Sequence, residues 1–262
     1  RQRQMCIRDS SWIIKKRVHQ MELFKKHPFE VQHEVLEGLL DAAKSTEYGK
    51  LHGFYNISTP HQFARGVPLQ TYDDLKPYVI RLKHGEKHLT WPGEIKWFAK
   101  SSGTTDDRSK FIPVSKEAIE GCHYKGGKDL LSLYHNEKPD TALFSGKTLI
   151  VGGSAKINHF SADSYYGDLS AIIIKNLPIW VENRRVPDRA IAIMDDWEMK
   201  LERMAKETSK EDVTNISGVP SWTLKLLERI LEISGTQNIH DVWPNLRLFM
   251  HGGVSFEPYR KV

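Results

Sequence analysis

The spacing of apolar residues changes from Glu94 onwards, and this change limits the folds available to the chain. Before Glu94, apolar residues recur every three or four positions, as in Val31, Val35 and Leu39, which indicates amphipathic helices. After it, short β-prone runs such as EIKWFAK and KFIPV alternate with helical patterns. Strands that alternate with helices predict an α/β fold.

Proline and glycine mark the expected ends of the early elements. Pro28 opens a helix that ends near TEYGK, where Gly49 could provide a left-handed cap. TYDDLKPY predicts a short helix that Pro77 stops. Ser115 is expected to cap a further helix, which the pair Gly126–Gly127 interrupts.

The remaining elements are predicted from apolar runs and caps. We expect buried strands at KTLIVGG and LSAIIIK, and a last strand at LRLFMHGG. Asp195 or Asp196 would cap a helix that carries Trp197 on its apolar stripe. Ser221 would cap another helix, which is expected to end at Gly235.

Composition excludes several classes of protein. Of the 262 residues 39% are hydrophobic and 27% are charged, as in a globular protein and unlike a disordered or fibrous one. No apolar run reaches the roughly 18 residues that a membrane-spanning helix needs. The two cysteines, Cys6 and Cys122, cannot form a disulfide framework and suit the cytoplasm, while the oligomeric state stays open.

The first ten residues, RQRQMCIRDS, differ in character from the rest of the chain. MCIRDS resembles the translation of a sequencing-adapter sequence, so we interpret residues 1–10 as a non-native segment; a natural basic tail is the alternative. Leaving out its three arginines and one aspartate lowers the formal charge from +5 to +3. The basic charge is then a weak indication of nucleic-acid binding.

Two short motifs resemble binding sites, but their sequence context argues against both. SGKT, Ser145 to Thr148, ends like a phosphate-binding P-loop, but Thr141 stands where its first glycine should be and the motif precedes a strand. His84 and His88 have the spacing of two zinc ligands on a helix, but Gly85 weakens the helix and no third ligand stands out. We therefore predict no metal centre.

The loop SSGTT, Ser101 to Thr105, lies between two predicted strands. Out of context it could be an ordinary hairpin loop, since Ser, Gly and Thr dominate loops. A central glycine also lets backbone N–H groups converge on an anion, and the hydroxyls add donors. Lys110 would supply positive charge to a polyphosphate, so the loop chemistry indicates nucleotide phosphate binding.

Four segments in order, VPLQTYDDLKPYV, WPGEIKWFAKSSGTTDDRSKFIPVS, VTNISGVPSWTLKLLERIL and WPNLRLFMHGGVSFEPY, resemble the Gretchen Hagen (auxin-responsive) family of acyl-acid amido synthetases in its bacterial form. This family belongs to the adenylate-forming superfamily of acyl-ligases and luciferase. The resemblance implies that residues 11–262 are the N-terminal part of the large adenylate-forming domain, with mixed β-sheets flanked by helices. The chain is then truncated, and the C-terminal part and the lid domain are absent.

The resemblance also implies roles for individual residues. Ser101, Ser102, Gly103, Thr104 and Thr105, with Lys110, would bind the phosphates of ATP, accompanied by Mg²⁺. Gly252 and Gly253 would lie against the adenine, although a plain turn at a strand end is the alternative. The wall of the acyl-substrate pocket would consist of Val219, Pro220, Trp222 and His251; for Trp222 the alternative is ordinary helix core.

The implied enzyme is an ATP-dependent acid–amino acid ligase. A carboxylate attacks the α-phosphate of ATP to give an acyl-adenylate and pyrophosphate, and an amino acid then forms the amide. The catalytic residues are expected in the absent C-terminal part, so the chain alone is expected to be inactive. Small carboxylic acids and amino acids are its expected partners, without nucleic acid or membrane. A non-catalytic basic module that binds nucleic acid or an acidic partner is the alternative.

Overall fold

The computed structural model describes residues 16–101, 110–141, 143–152 and 157–260. The chain divides into two compact units. One, called here the hairpin unit, contains Ile13–Ser132 and Asn158–Gly167. The other, called the parallel-sheet unit, contains Leu133–Ile157 and Asp168–Val262.

The hairpin unit begins with five helices. The first, α1, covers residues 16–26 of the described chain. The others are α2 Pro28–Ala43, α3 Glu47–Leu51, α4 Pro60–Gly66 and α5 Tyr72–Lys83, with a 3₁₀ turn at Phe54–Asn56.

Helix α5 continues through Pro77, so the predicted stop at this proline was wrong. Pro77 removes one N–H from the helix, but other contacts compensate for it. A capping box between Thr71 and Asp74 fixes the start of the helix, and Val79 and Leu82 beyond the proline are buried.

Gly49 has a different role from the one predicted. It lies inside α3 and is not among the residues with positive φ, so it is not a left-handed cap. A Cβ at this position would overlap the carbonyl oxygen of Ala43, at the end of α2. Gly49 is therefore needed for the close approach of two helices.

A mixed four-stranded sheet completes the hairpin unit, in the order β2-β1-β5-β4. The strands are β1 Trp97–Lys100, β2 Phe111–Val114, β4 Asn158–Ser161 and β5 Ser164–Gly167. The β1–β2 and β4–β5 pairs are antiparallel, whereas β1 and β5 are parallel. The predicted strands EIKWFAK and KFIPV are thereby confirmed as β1 and β2.

Ser115 caps the next helical segment, as predicted, because its Oγ accepts a hydrogen bond from the Ala118 N–H at 3.1 Å. This segment consists of α6 Lys116–Ala118, a π-helical turn Ile119–Tyr124 and α7 Lys125–Glu137. Gly126 and Gly127 do not interrupt it, contrary to the prediction. The irregularity lies just before them, in the π-helical turn.

The parallel-sheet unit contains four parallel strands in the order β6-β3-β7-β8. The strands are β3 Lys147–Val151, β6 Arg185–Val186, β7 Val213–Gly218 and β8 Leu248–His251. The helices are α8 Leu169–Lys175, α9 Ile179–Glu182, α10 Arg189–Ala192, α11 Trp197–Thr208, α12 Pro220–Ser234 and α13 Ile239–Val242. KTLIVGG and LRLFMHGG are confirmed as strands β3 and β8.

The segment LSAIIIK is helix α8, so its prediction as a strand was wrong. Ala171, Ile172 and Ile174 are all buried in this helix, which gives an apolar run without helical periodicity. The side-chain amide of Asn176 donates to the Ile172 carbonyl at 2.8 Å and satisfies it at the helix end. Burial therefore outweighs the β preference of three consecutive isoleucines.

The two long helices of this unit differ in how well their starts were predicted. Asp196 caps α11, because its carboxylate accepts a hydrogen bond from the Met199 N–H at 2.9 Å. Ser221 does not cap α12, because Val219 is the N-cap and the helix begins at Pro220, two residues earlier than predicted.

The core of the parallel-sheet unit lies between its sheet and these helices. Its fully buried side chains are Leu149, Met204, Ala205, Val213, Leu226, Ile230 and Trp243, each with 0% exposure. The Trp243 indole N–H donates to the Thr208 carbonyl at 3.0 Å, so its polar atom is also satisfied.

Gly49→Ala should lower the free energy of unfolding by about 1–3 kcal/mol, since the added methyl group overpacks the contact with α2. Gly38→Ala is the matched control, because this exposed glycine inside α2 has open space around it. It should raise stability by about 0.5–1 kcal/mol. Urea unfolding of both variants measures the difference, and equal stabilities would contradict the steric role.

Candidate functional site

The base of the SSGTT loop is formed by β1 and β2. Lys100 pairs with Phe111, and one step further the Ser101 N–H donates to the Lys110 carbonyl at 2.9 Å. The loop therefore leaves and re-enters the sheet at two adjacent, hydrogen-bonded residues. Ser102, Gly103, Thr104 and Thr105 lie outside the described residues, so only Ser101 and Lys110 of the predicted phosphate site are placed.

A second group of predicted residues meets at the carboxyl ends of β7 and β8. Gly218 pairs with His251 in the parallel register of these strands. The residues that follow are also close, because a Cβ on Gly253 would lie 3.3 Å from Cγ2 of Val219. Ligands of open parallel sheets bind at this edge, so Val219, His251 and Gly253 lie where a substrate site is expected.

The two glycines after β8 differ in backbone conformation and in the space around them. Gly253 has φ of +84°, a left-handed conformation that favours glycine. Gly252 is exposed, and a Cβ built on it meets nothing within 4 Å. Gly252 thus leaves open space at the edge, whereas Gly253 makes the turn.

Pro220 and Trp222 lie in the first turn of α12, which starts at the same edge. Pro220 is buried, and Trp222 is half-buried against the core. The Trp222 ring packs edge-on against Trp197 of α11, with ring centroids 4.1 Å apart. Trp222 therefore contributes to the core at the edge where α12 starts.

Phe256 was missed by sequence reasoning. Its ring stacks on His251 with centroids 4.4 Å apart and an interplanar angle of 22°. Phe249 contacts the ring of Phe256 edge-on at 6.0 Å. The turn through the glycine pair thereby carries an aromatic cluster, which depends on a contact across the turn that no local pattern reveals.

Lys200 on α11 was also missed. Its side chain is only 1% exposed, and its Nζ donates to the Gly152 carbonyl, just after β3, at 3.2 Å. Burial lowers the pKa of the Lys200 ammonium, and the nearby Asp195 carboxylate acts in the opposite direction. A signal was present in the sequence, since Lys200 precedes the buried Met204 and Thr208 by four and eight positions.

A separate cavity of about 490 Å³ lies in the hairpin unit. It is lined mainly by apolar side chains of the N-terminal helices, among them Leu40, Phe63 and Val79. None of the described predicted site residues lines it, so we assign it no role in the candidate site.

Within residues 16–101, 110–141, 143–152 and 157–260, no group of three or more His, Cys, Asp or Glu side chains could hold a metal ion. In the same residues, no helix combines the length and the apolar character needed to cross a membrane.

These features define a class of α/β protein. A polar loop joins two antiparallel strands in one unit, and the other unit presents glycines and aromatic rings at the carboxyl edge of a parallel sheet. The chain belongs to the GH3 family: the pattern of the GH3 family N-terminal domain matches residues 17–262.

Two curated relatives illustrate this membership. Jasmonoyl-L-amino acid synthetase JAR6 of Nicotiana attenuata is 33% identical over 104 residues, which is 39% of this chain and 18% of the relative. Indole-3-acetic acid-amido synthetase GH3.15 of Arabidopsis thaliana is 37% identical over 93 residues, 35% of this chain and 15% of that one. The first name describes a jasmonoyl–amino acid synthetase, and the second describes an amido synthetase of indole-3-acetic acid.

Solved structures share the fold. A GH3.15 acyl acid amido synthetase aligns over 89% of this chain with a TM-score of 0.71 and 19% identity. A second structure, in complex with 2,4-DB, aligns over 78% with a TM-score of 0.61 and 23% identity. The mixed α/β architecture with helix-flanked sheets is therefore that of this family. The chain spans 50% of the length of the GH3.15 chain in the first of these structures.

The burial of Lys200 predicts a pH-dependent stability. Its lowered pKa means that the folded protein holds the proton less tightly than the unfolded chain, so the cost of charging Lys200 is largest at low pH. This cost decreases as the pH rises towards the ordinary value of 10.5. The stability of the wild type relative to Lys200→Met should therefore increase from about pH 7 to about pH 10.

The unfolding free energies of both proteins at the two pH values measure this effect. Lys225→Met removes an exposed lysine from the neighbouring helix α12 and controls for the loss of one positive charge. A Lys200→Met difference that does not change with pH would show that the ammonium is well solvated.

Proposed function

We propose that this chain contributes the nucleotide and acyl-acid sites of an ATP-dependent acyl-acid amido synthetase. In the first half-reaction a carboxylate oxygen attacks the α-phosphate of ATP, the bond to the β-phosphate oxygen breaks, and pyrophosphate leaves. In the second, an amino acid amine attacks the acyl carbon, AMP leaves, and the nitrogen loses its proton. The observation that carries the proposal is the meeting of Val219, His251 and Gly253 at the carboxyl edge, within a GH3-family chain.

The phosphates of ATP are assigned to the loop between β1 and β2. Ser101 and the exposed Lys110 stand at its two ends, so a hydroxyl and an ammonium flank the segment. We assign Ser102, Gly103, Thr104 and Thr105 to the same role on the family resemblance. Mg²⁺ would arrive bound to the triphosphate, since Mg²⁺ commonly relies on substrate phosphates rather than a dedicated protein cage.

The adenine and the acyl acid are assigned to the carboxyl edge of the parallel sheet. Gly252 offers an open backbone face on which a base can lie, and Gly253 makes the turn that exposes it. We assign Val219, Pro220, Trp222 and His251 to the acyl pocket. The rings of Trp222 and His251 would give it an aromatic lining, which fits a small apolar acid.

The complete reaction requires more than these residues. Because the chain spans 50% of the solved GH3.15 relative, we propose that the 262 residues by themselves do not complete it. The acid and the amino acid are proposed by class only, from relatives named for jasmonoyl and indole-3-acetic acid conjugation. We place the protein in the cytoplasm, because Cys122 is the one cysteine outside the segment interpreted as non-native and has no disulfide partner in the rest of the sequence.

Thr104→Ala in a full-length enzyme that contains this domain should lower the adenylation rate by roughly 10²-fold, the usual effect of removing one preorganised donor. The measurement is ATP–pyrophosphate exchange at saturating acid. An unchanged exchange rate, with an unchanged melting temperature, would remove Thr104 from the phosphate site.

Gly252→Ala tests the adenine assignment separately. The methyl group meets nothing in the protein, so folding should be unaffected, but it would intrude on a base lying against Gly252. We expect the Kd for Mg·ATP to rise by roughly tenfold in titration calorimetry, the effect of a modest steric clash. Gly38→Ala is the control, and equal affinities of the two variants would place the adenine elsewhere.

A further inference from the structure

Tyr72 makes two hydrogen bonds to one residue of the loop-bearing hairpin. Its hydroxyl accepts a hydrogen bond from the Phe111 N–H at 2.9 Å and donates one to the Phe111 carbonyl at 3.3 Å. Phe111 is the first residue of β2, where the chain returns from the SSGTT loop. A single side chain therefore satisfies both backbone groups of the residue at the loop exit.

The strand register explains why these groups are available to Tyr72. The Ser101 N–H donates to the Lys110 carbonyl, so the adjacent pair of Lys100 and Phe111 is a non-hydrogen-bonded pair. The N–H and carbonyl of Phe111 then point away from β1, and β2 is an edge strand of its sheet. Tyr72 thus occupies the place of a further strand at this one position.

Tyr72 also contacts the predicted phosphate-binding lysine. The Lys110 Nζ lies 5.6 Å from the centroid of the Tyr72 ring, within the range of a cation–π interaction. Lys110 is exposed, so little else restricts its long side chain. The ring of Tyr72 therefore orients the Lys110 ammonium, while the Tyr72 hydroxyl holds the backbone of Phe111.

The same helix holds the Phe111 side chain as well. The Lys83 Nζ lies 3.8 Å from the centroid of the Phe111 ring and 4.3 Å from that of Phe160. Phe111 also packs edge-on against Phe160 and Tyr166, at 5.0 and 5.2 Å. Helix α5 therefore fixes both the backbone and the ring of the residue at the loop exit.

The position of Tyr72 itself is well determined. It is the first residue of α5, directly after the N-cap Thr71. The Asp74 carboxylate accepts hydrogen bonds from both the N–H and the hydroxyl of Thr71 at 2.7 Å, which closes the capping box. The start of the helix, and with it the Tyr72 side chain, is thereby anchored.

We propose that Tyr72 is a positioning residue that fixes the exit of the SSGTT loop and aims the Lys110 ammonium at the phosphates of Mg·ATP. The inference deepens the proposed function and rests on it. The family resemblance includes the segment VPLQTYDDLKPYV but assigns it no role. This inference gives Tyr72 of that segment a role in nucleotide binding.

The test compares Tyr72→Phe with Tyr78→Phe in the 262-residue chain. Both substitutions remove one hydroxyl from α5 and keep the ring, but only the first breaks the hydrogen bonds to Phe111. Amide hydrogen exchange at Phe111 should accelerate roughly tenfold in Tyr72→Phe, the effect of one net hydrogen bond, and stay unchanged in Tyr78→Phe. The Kd for Mg·ATP should also rise roughly tenfold in Tyr72→Phe alone.

A double-mutant cycle with Tyr72→Leu and Lys110→Gln tests the cation–π contact. If Tyr72 acts partly through Lys110, the loss of affinity in the double variant is smaller than the product of the two single losses. Independent effects would show that the ring does not aim Lys110. Melting temperatures of all variants report whether each one folds.

The outcomes separate the inference from the function on which it rests. If the wild type binds Mg·ATP and Tyr72→Phe binds it equally well, the positioning role is wrong and the proposed function stands. If the wild type does not bind Mg·ATP, the proposed function fails and the phosphate role of Tyr72 fails with it. Unchanged amide hydrogen exchange at Phe111 in Tyr72→Phe would show, in either case, that the Tyr72 hydroxyl does not fix the loop exit.

Discussion

The parallel pairing of β7 with both β3 and β8 is the constraint on which the candidate site depends. Its register sets Val151 beside Gly218 and Gly218 beside His251, so three distant parts of the chain end at one edge. Gly218 is required there, because a Cβ would come within 2.8 Å of the Val151 Cβ and 2.9 Å of the Thr223 hydroxyl. Close packing at the middle strand thus determines which residues can face a ligand.

The fold was predictable where local signals agree with burial. The β1–β2 hairpin, the strand at KTLIVGG and the cap at Asp196 combine a turn or cap signal with a matching period. Local signals failed where distant contacts decide. The isoleucines of LSAIIIK are buried as a helix, and Pro77 is accommodated because Val79 and Leu82 beyond it are packed. Strand β7 was not predicted as such because it carries Thr214 and Asn215, which are buried polar residues inside a central strand.

Only the parts of the candidate site that carry a recognisable sequence motif could be predicted. The resemblance drew attention to the SSGTT loop and the glycine pair. In the structure Ser101 follows β1, Lys110 precedes β2, and Gly252 and Gly253 follow β8. Lys200, Phe256 and Tyr72 contact residues far along the chain or across a turn. Sequence spacing does not reveal such contacts, which are visible only in the folded arrangement.

The interleaving of the two units has a consequence for biosynthesis. Strand β1 borders β5 through the pairing of Trp97 with Tyr165, yet the segment Leu133–Ile157 of the other unit is made in between. On the ribosome the N-terminal helices and the β1–β2 hairpin emerge first, while one edge of β1 waits unpaired. The sheet that carries the loop cannot be completed until Gly167 has left the exit tunnel, so a nascent chain arrested earlier exposes an open strand edge to chaperones or to other chains.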